Sequence, residues 1–136
     1  MDCIFCKIVN GELPSAKIYE DDHQVAFLDA FPATAGHALL VPKKHIVNIF
    51  DCDEELGRII YPTLIKLSKA IRHAMGCTGL NIVQNNEAVA GQVVFHSHIH
   101  LIPRYDYDGI KIAVASKAQA TPEVLAPIAD KIMRAL

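Results

Sequence analysis

The feature that most constrains this chain is a segment in which histidine occupies every second position. Residues 95–103 read FHSHIHLIP, so His96, His98 and His100 alternate with residues that are mostly apolar. Alternate side chains of a β-strand lie on one face, and the spacing therefore predicts a strand over residues 93–103 with three imidazoles side by side across about 13 Å. A single histidine is usually a surface or core residue, whereas three at this spacing on an apolar strand indicate a functional site.

Two chemistries suit such a row of imidazoles. Imidazole is a common metal ligand, so the row can hold a metal ion that activates water. An uncharged imidazole is also a nucleophile near neutral pH, because its ordinary pKa is about 6.5. Neighbouring imidazolium ions repel, which favours uncharged rings and hence the nucleophilic use. Phosphorus is the natural electrophile, since water readily displaces a phosphorylated imidazole.

Length and charge restrict the kind of molecule that carries this site. A chain of 136 residues is the size of one domain, and no change in composition divides residues 1–136. The net charge is -2, from 13 Lys and Arg against 15 Asp and Glu, so no basic surface is expected for bulk nucleic acid. No apolar stretch approaches the roughly 18 residues of a membrane span, and the N-terminus does not resemble a signal peptide. We therefore expect a cytoplasmic protein with no membrane partner.

Periodicity and turn residues predict the order of the other elements. They indicate a short helical or knuckle segment within 1–16, strands at 17–20, 24–28, 38–41 and 80–84, a helix over 53–75, a loop at 85–92, a short strand at 110–114 and a C-terminal helix over 121–136. Pro62 conflicts with the long helix, because a proline inside a helix costs about 3 kcal/mol. We expect this helix to kink at Pro62 or to begin near it. Asp51 or Asp53 can cap its start, and Gly76 its end.

Three segments together resemble the histidine triad (HIT) family. They are GHALLVP at 36–42, GQ at 91–92 and HSHIHLI at 96–102, and they are most similar to the HINT-like branch of nucleoside phosphoramidases and nucleotide hydrolases. The resemblance implies an α+β fold with a five-stranded antiparallel sheet and two helices per chain. It also implies a homodimer in which two such sheets join into one of ten strands.

The resemblance assigns catalytic roles to three histidines. His98, the middle histidine, would be the nucleophile that forms a nucleotidyl-histidine with the α-phosphate of AMP. His100 would bind the phosphate or help to protonate the leaving group, and His37 would support the nucleophile from the neighbouring strand. His100 stands where nucleotidyltransferases of the superfamily tend to have glutamine, which favours hydrolysis over transfer.

Further residues match the positions that bind the nucleotide in this family. Asp29 would hold the ribose hydroxyls, for which a carboxylate is a suitable acceptor. Asn85 would donate to the phosphate, and Gly91 with Gln92 would form a loop whose backbone N–H groups are available to an anion. The expected partner is a purine nucleotide of the form AMP–X, in which X is an amine, a phosphate or an acyl group.

Two residues depart from the family pattern. Ser97 occupies a position that is apolar in the family, so we expect different packing behind the triad strand. Val93 stands where HINT proteins often have a serine that contacts the phosphate. Because this hydroxyl is missing, we expect a leaving-group preference that differs from that of the HINT phosphoramidases. Neither departure alters the imidazole face of the predicted strand.

The first cysteines of the chain form a second candidate site. Cys3 and Cys6 make a C-x-x-C motif, a spacing at which two thiolates can bind one Zn²⁺. The motif is only half a site, and the alternative is a pair of small buried side chains. Many bacterial-type members of the family hold zinc with such a pair and with histidines that match His45 and His96. The resemblance therefore implies a structural Cys₂His₂ zinc site with no open position for water.

These assignments predict a hydrolase that cleaves AMP–X at the α-phosphate through a covalent intermediate on His98. The alternative is a zinc-stabilised nucleotide-binding adaptor protein with weak or vestigial catalysis. A third interpretation is a metal-dependent hydrolase that uses the histidine row as ligands, and it predicts activity that is lost on chelation and restored by metal.

Overall fold

The computed structural model describes residues 2–112 and 118–136. Its strands are β1 (Lys17–Glu20), β2 (Gln24–Leu28), β3 (Ala38–Pro42), β4 (Gly79–Val83) and β5 (Ile99–Arg104). Its helices are α1 (Ile4–Val9), α2 (Glu54–Met75) and α3 (Pro122–Met133), with short 3₁₀ turns at Ile49–Asp51 and Ala88–Ala90. The strands pair antiparallel in the order β1-β2-β3-β5-β4. The predicted α+β fold with a five-stranded antiparallel sheet is confirmed, and α1 adds a short third helix to the two expected.

The two faces of the sheet carry separate parts of the core, because alternate strand residues turn to opposite sides. One face packs against α2 through Ala26, Ala38, Leu40, Ile46, Leu101 and the helix residues Leu56, Ile60, Leu64, Leu67 and Ile71. The other face packs against α1 through Phe5, Ile8, Val25, Phe27, Leu39 and Val41. His100 pairs with Leu39 across the β3–β5 ladder. Its imidazole therefore lies on the α1 side of the sheet.

Helix α2 runs without interruption along its full length. The Asp53 carboxylate caps its first turn by accepting from the Leu56 N–H at 2.8 Å, and Gly76 ends it in the left-handed conformation. The helix continues through Pro62, so the expectation that it begins there is wrong. Pro62 is exposed, and six residues of the helix are buried. At roughly 1.5–3 kcal/mol for each large apolar side chain, this burial outweighs the cost of the proline.

The strand that carries the histidines is shorter than predicted. β5 begins six residues after the expected start at 93, so His100 lies in the ladder while His96 and His98 precede it. The backbone groups before β5 have other partners than β3. The Ser97 N–H donates to the Ile46 carbonyl, and the carbonyls of Val94 and His96 accept from the side chains of Gln92 and His98. The last residue of β3, Pro42, has no N–H to offer to a longer ladder.

Ser97, the polar residue at an apolar position of the family pattern, is buried and hydrogen-bonded. Its N–H donates to the Ile46 carbonyl at 2.7 Å, and its hydroxyl oxygen accepts from the Gln84 amide at 3.2 Å. Only 5% of the residue is exposed. The segment before β5 is therefore anchored by hydrogen bonds where an apolar side chain would rely on packing alone.

The C-terminal elements differ in part from the prediction. No strand forms at 110–112, and the rest of the expected strand at 110–114 lies outside the described residues. Helix α3 has Pro122 in its first turn, as predicted, but it ends at Met133 instead of 136. None of its twelve residues is buried. Among the described residues, no helix has the length and hydropathy that spanning a membrane requires.

Candidate active site

A cavity of about 860 Å³ lies on the α1 side of the sheet. Its wall is mostly apolar and includes Ile4, Phe5, Ile8, Phe27, Leu28 and Leu39. Asp29, His98 and His100 add polar groups to the same wall. Three of the predicted site residues thus border one cavity, whose size and lining suit an organic ligand.

The His98 ring is held in one orientation. Its Nδ1 lies 2.7 Å from the His96 carbonyl oxygen. Since a carbonyl can only accept, Nδ1 carries the proton and Nε2 of the uncharged ring keeps its lone pair. The Phe5 ring packs edge-on against His98 with its centroid 5.0 Å away, and only 8% of His98 is exposed. The backbone and one aromatic ring thus leave Nε2 as the nitrogen that is available to a ligand.

His37 and His100 form a second chain of hydrogen bonds. The Ala33 N–H donates to Nδ1 of His37 at 3.0 Å, so the proton of that ring is on Nε2. This Nε2 lies 2.9 Å from Nδ1 of His100 and donates to it, which places the His100 proton on Nε2. That His37 supports the nucleophile stays a prediction, and in this geometry the support would be indirect. His37 bonds to His100, whose ring packs against that of His98 at a centroid distance of 5.1 Å.

Burial keeps the His37 and His100 rings uncharged. It lowers the pKa of His100 to about 4, and the neighbouring histidines add to the shift because imidazolium charges there would repel. Burial also lowers the pKa of His37, against the opposing effect of the Asp29 carboxylate 3.5 Å from its Nε2. At neutral pH both rings are therefore uncharged, and each keeps the donor nitrogen and the acceptor nitrogen that its hydrogen bonds assign to it.

Asp29 follows β2 directly and is held in place by its neighbours. Its Oδ1 accepts from the Phe31 N–H at 2.8 Å, and its Oδ2 is the oxygen near His37. The side chain is 17% exposed and borders the cavity. Each carboxylate oxygen has further lone pairs, which suits the predicted contact with the two hydroxyls of a ribose.

The loop at 85–92 differs from the sequence expectation. The N–H groups of Gly91 and Gln92 donate to the carbonyls of Ala88 and Glu87 at 3.0 and 3.1 Å. These bonds contradict the expectation that both N–H groups are available to an anion. The tight turn that brings the loop together uses its own backbone donors, which the sequence did not reveal.

The side chains of the same loop divide into a buried and an accessible part. Gln92 is 4% exposed, accepts from the Glu87 N–H at 2.8 Å and donates to the Val47 carbonyl at 2.6 Å. Asn85 makes one long bond, from Nδ2 to the Gly91 carbonyl at 3.4 Å. Gln92 therefore stabilises the loop, whereas the Asn85 amide is free to exchange its partner for a ligand.

Two cysteines and two histidines converge beside α1. The sulfur atoms of Cys3 and Cys6 and a ring nitrogen each of His45 and His96 lie within 4.8 Å of one another. The two Nδ1 atoms are 3.1 Å apart, and the sulfur to nitrogen distances are 3.3, 3.4 and 3.5 Å. A tetrahedral Zn²⁺ with bonds of about 2.0–2.3 Å requires donor separations of about 3.3–3.8 Å. The three sulfur to nitrogen distances lie within this range and the nitrogen to nitrogen distance is about 0.2 Å below it, so the donor set fits one such ion after a small adjustment of the rings.

His96 connects this cluster to the cavity. Its Nε2 donates to the Pro42 carbonyl at 2.8 Å, which leaves the lone pair of Nδ1 directed at the cysteines. Its own carbonyl accepts from His98, and the residue is fully buried. Burial also raises the pKa of the Cys6 thiol, so a metal ion is needed to keep that sulfur as a thiolate at neutral pH.

Asp29, His37 and His100 form another group whose donor atoms lie within 4.8 Å. The proton that Ala33 fixes on Nε2 of His37 points into this group. A metal ion would have to displace that proton, so the geometry is that of a hydrogen-bond network.

The sequence did not reveal the backbone groups that orient the histidines. They are the carbonyls of Pro42 and His96 and the N–H of Ala33. No residue type marks a backbone donor or acceptor, so no signal for them existed. Phe5 was also missed, although an apolar residue three positions before Ile8 in a short helix is a recognisable sign of a packed face.

Comparison with known proteins decides the family. The family model described as the HIT domain matches residues 10–107. The chain belongs to the HIT domain family. The match contains Asp29, His37 and all three histidines of the 96–100 row, and it begins after the cysteine pair.

Relatives cover most of this HIT chain. The protein hit of Bacillus subtilis is 49% identical over 104 residues, which are 76% of this chain and 72% of that protein. The adenosine 5'-monophosphoramidase hnt1 of Schizosaccharomyces pombe is 42% identical over 104 residues, which are 76% of this chain and 75% of that protein.

Solved structures of HIT proteins share the fold. A member of the HIT family from Bacillus subtilis superposes with a TM-score of 0.95 at 43% identity, covering 100% of this chain and 98% of that one. A zinc-bound histidine triad family protein from Mycobacterium smegmatis superposes with a TM-score of 0.77 at 31% identity, covering 100% of this chain and 99% of that one.

Proposed function

We propose that this HIT protein hydrolyses nucleotides of the form AMP–X at the α-phosphate, with a nucleotidyl intermediate on His98. The hydrogen bond from Nδ1 of His98 to the His96 carbonyl carries the proposal, because it leaves Nε2 as a nucleophile beside the cavity. The Schizosaccharomyces pombe relative is named as an adenosine 5'-monophosphoramidase. That name supports a P–N bond as the bond that breaks and an amine as X.

In the first step, the lone pair on Nε2 of His98 forms a bond to the α-phosphorus. The P–X bond breaks, and X leaves with the bonding electrons and gains a proton from solvent. The Nε2–H of His100 is fixed as a donor by His37 and can bind a phosphate oxygen or X as negative charge develops. The His98 Nδ1–H bond to the backbone stabilises the positive charge that the ring acquires.

In the second step, water attacks the same phosphorus and the P–N bond to His98 breaks. The water loses one proton to solvent, AMP is released and Nε2 regains its lone pair. The ribose lies against Asp29 and the base against the apolar wall, so the nucleoside is held while X is exchanged for water. Each turnover consumes one water molecule and no metal ion takes part.

The role of His37 can be tested by two amide variants. Asparagine is long enough to accept from Ala33 but too short to reach His100, whereas the amide of glutamine reaches the position of Nε2. We expect His37→Asn to lower kcat/KM by about 10- to 100-fold and His37→Gln to retain most of it. The His100 tautomer, read from ¹⁵N NMR shifts, should remain Nε2–H only in His37→Gln. Equal losses with an unchanged tautomer would contradict this role.

We also propose that Cys3, Cys6, His45 and His96 hold a structural zinc ion. The four donors and their spacing support it, as does the solved Mycobacterium smegmatis relative described as Zn-bound. A bound ion would fix His96 and, through its carbonyl, the His98 ring. The cytoplasm is the proposed location, because thiols remain reduced there and available to zinc.

We further propose that the protein is a homodimer. Helix α3 supports this, since the following side chains are all more than half exposed: Val124, Leu125, Ile128, Ile132, Met133 and Leu136. Twelve residues with Pro127 inside do not form a stable isolated helix. A second copy would cover this apolar face, and pairing of the two β4 edges would give the ten-stranded sheet.

The function is tested by a brief reaction with an adenosine phosphoramidate, followed by intact-mass and peptide analysis. We expect AMP and free amine as products and a transient adenylate on the peptide that contains His98. An adenylate on another residue would contradict the assigned nucleophile. Tight binding of AMP without hydrolysis of any AMP–X compound would favour the adaptor interpretation instead.

A further inference from the structure

A second groove adjoins the cavity, and the proposed reaction does not use it. It has a volume of about 490 Å³ and shares Ile4, Val93 and Val94 with the cavity wall. Val47 and Phe95 add apolar surface that belongs to the groove and not to the cavity. The shared residues make the two spaces neighbours, so a ligand in the cavity can extend into the groove.

Several apolar side chains that line the groove are unusually exposed. Val93 is 84% exposed, Ile4 50% and Phe95 46%. Contiguous exposed apolar side chains beside a catalytic cavity indicate a surface that a ligand covers, because leaving them in water is unfavourable. The valine at 93 also offers no hydrogen bond to a phosphate. At position 93 the chain therefore offers apolar contact, where a polar side chain would bind the phosphate.

We infer that the groove binds an apolar group carried by X, so that the substrates are nucleoside phosphoramidates of amines with an apolar chain. This inference rests on the proposed function. The nucleoside fills the cavity with its ribose at Asp29 and its α-phosphate at His98. X is bonded to that phosphorus and must lie at the edge of the cavity. Val93 and Val94 border both the cavity beside His98 and the groove, and the chain of X continues along them.

The charged groups of the region agree with an uncharged chain on X. Within the described part of the chain, Asp2 is the one carboxylate that lines the groove, and it is already paired with Lys7. Cys3 and His45 also line the groove, and their sulfur and ring nitrogen belong to the proposed zinc site. The groove therefore offers apolar contact along Val93 and Phe95 and no unpaired charge for a cationic chain.

The test uses adenosine phosphoramidates of linear primary amines from methylamine to hexylamine. Their basicities are nearly equal, so the leaving-group chemistry stays constant while the apolar length grows. Full burial of one methylene group corresponds to about a fourfold gain. We expect kcat/KM of the unmodified protein to rise about two- to fourfold per methylene group until the groove is filled.

Two variants locate the effect. Val93→Ala should flatten the dependence on chain length while leaving the methylamide rate within about threefold, because it removes apolar surface from the groove and adds no hydroxyl that could bind the phosphate. Val89→Ala is the matched control, since Val89 is 99% exposed in the adjacent loop and does not line the groove. It should keep the full dependence on chain length. A flat series in the unmodified protein, or an equal slope in Val93→Ala, overturns the inference, and the first result would fit a second protein copy seated in the groove.

Binding measurements separate this inference from the proposed function. If no member of the series is hydrolysed, the proposed reaction fails. Calorimetric titration of His98→Ala with the same compounds then decides on the groove alone. Affinity that rises with chain length, and rises less when Val93→Ala is added, supports the groove. Affinity that is independent of chain length overturns it.

Discussion

Replacing His98 with alanine is expected to lower kcat/KM for an adenosine phosphoramidate by roughly 10³- to 10⁶-fold, because no other described residue that borders the cavity offers an uncharged nitrogen nucleophile. The change removes an imidazole whose Nε2 faces the cavity with an unprotonated lone pair. His100 cannot substitute, since His37 donates to its Nδ1 and its Nε2 carries the proton. The measurement is the steady-state rate of amine release, with thermal unfolding followed by circular dichroism.

The control variants for this prediction are the exposed histidines His23 and His73. His23→Ala and His73→Ala should retain full activity, because neither ring reaches the cavity. His98→Ala should remain folded, since its ring contacts only the edge of the α1-side core at Phe5, and Phe5 keeps its packing against Phe27. A variant that keeps more than a tenth of the rate while folded would show that another group is the nucleophile.

Replacing Cys3 and Cys6 together with serine is expected to abolish zinc binding and to lower the free energy of unfolding by about 3 kcal/mol or more. For a domain of this size the melting temperature should fall by roughly 10 °C. The reason is that the metal would join α1 to the segment before β5 through His96. We also expect kcat to fall about tenfold, because the His96 carbonyl that orients His98 is no longer held.

Zinc content and thermal unfolding of the purified proteins check this second prediction. Cys52→Ser is the matched control, since Cys52 is partly exposed and lies outside the cluster. It should keep one zinc per chain and the same melting temperature. A double-serine variant with unchanged zinc content would remove these cysteines from the site. Unchanged stability without zinc would show that the ion is not structural.

Most of the fold could be predicted from local patterns in the sequence. β1 and β2 occur where the β-prone runs at 17–20 and 24–28 predict them, and β3 and β4 agree within one residue at each end. These elements follow from residue periodicity and turn residues, which act over a few positions. Helix α2 agrees as well, and Asp53 and Gly76 cap it as expected. Only its passage through Pro62 depends on distant contacts.

The length of β5 could not be predicted in the same way. The alternating pattern from 93 onward is that of a strand, and a strand there requires a partner ladder. β3 ends at Pro42, and the carbonyl of Pro42 is taken by the His96 ring. The histidines still lie close together, because side-chain hydrogen bonds hold His96 and His98 where the ladder does not.

By itself, the sequence determined which residues are chemically able to act: a row of imidazoles at period two, a carboxylate eight positions before His37, and a pair of thiols. Only the tertiary structure decided what each imidazole does. His96 turns its free nitrogen to the cysteines, His98 turns its free nitrogen to the cavity, and His100 accepts a hydrogen bond from His37. The physical reason is that a histidine's role depends on which of its nitrogens is protonated. Backbone groups that are distant in sequence, or that a local turn brings close, set that choice.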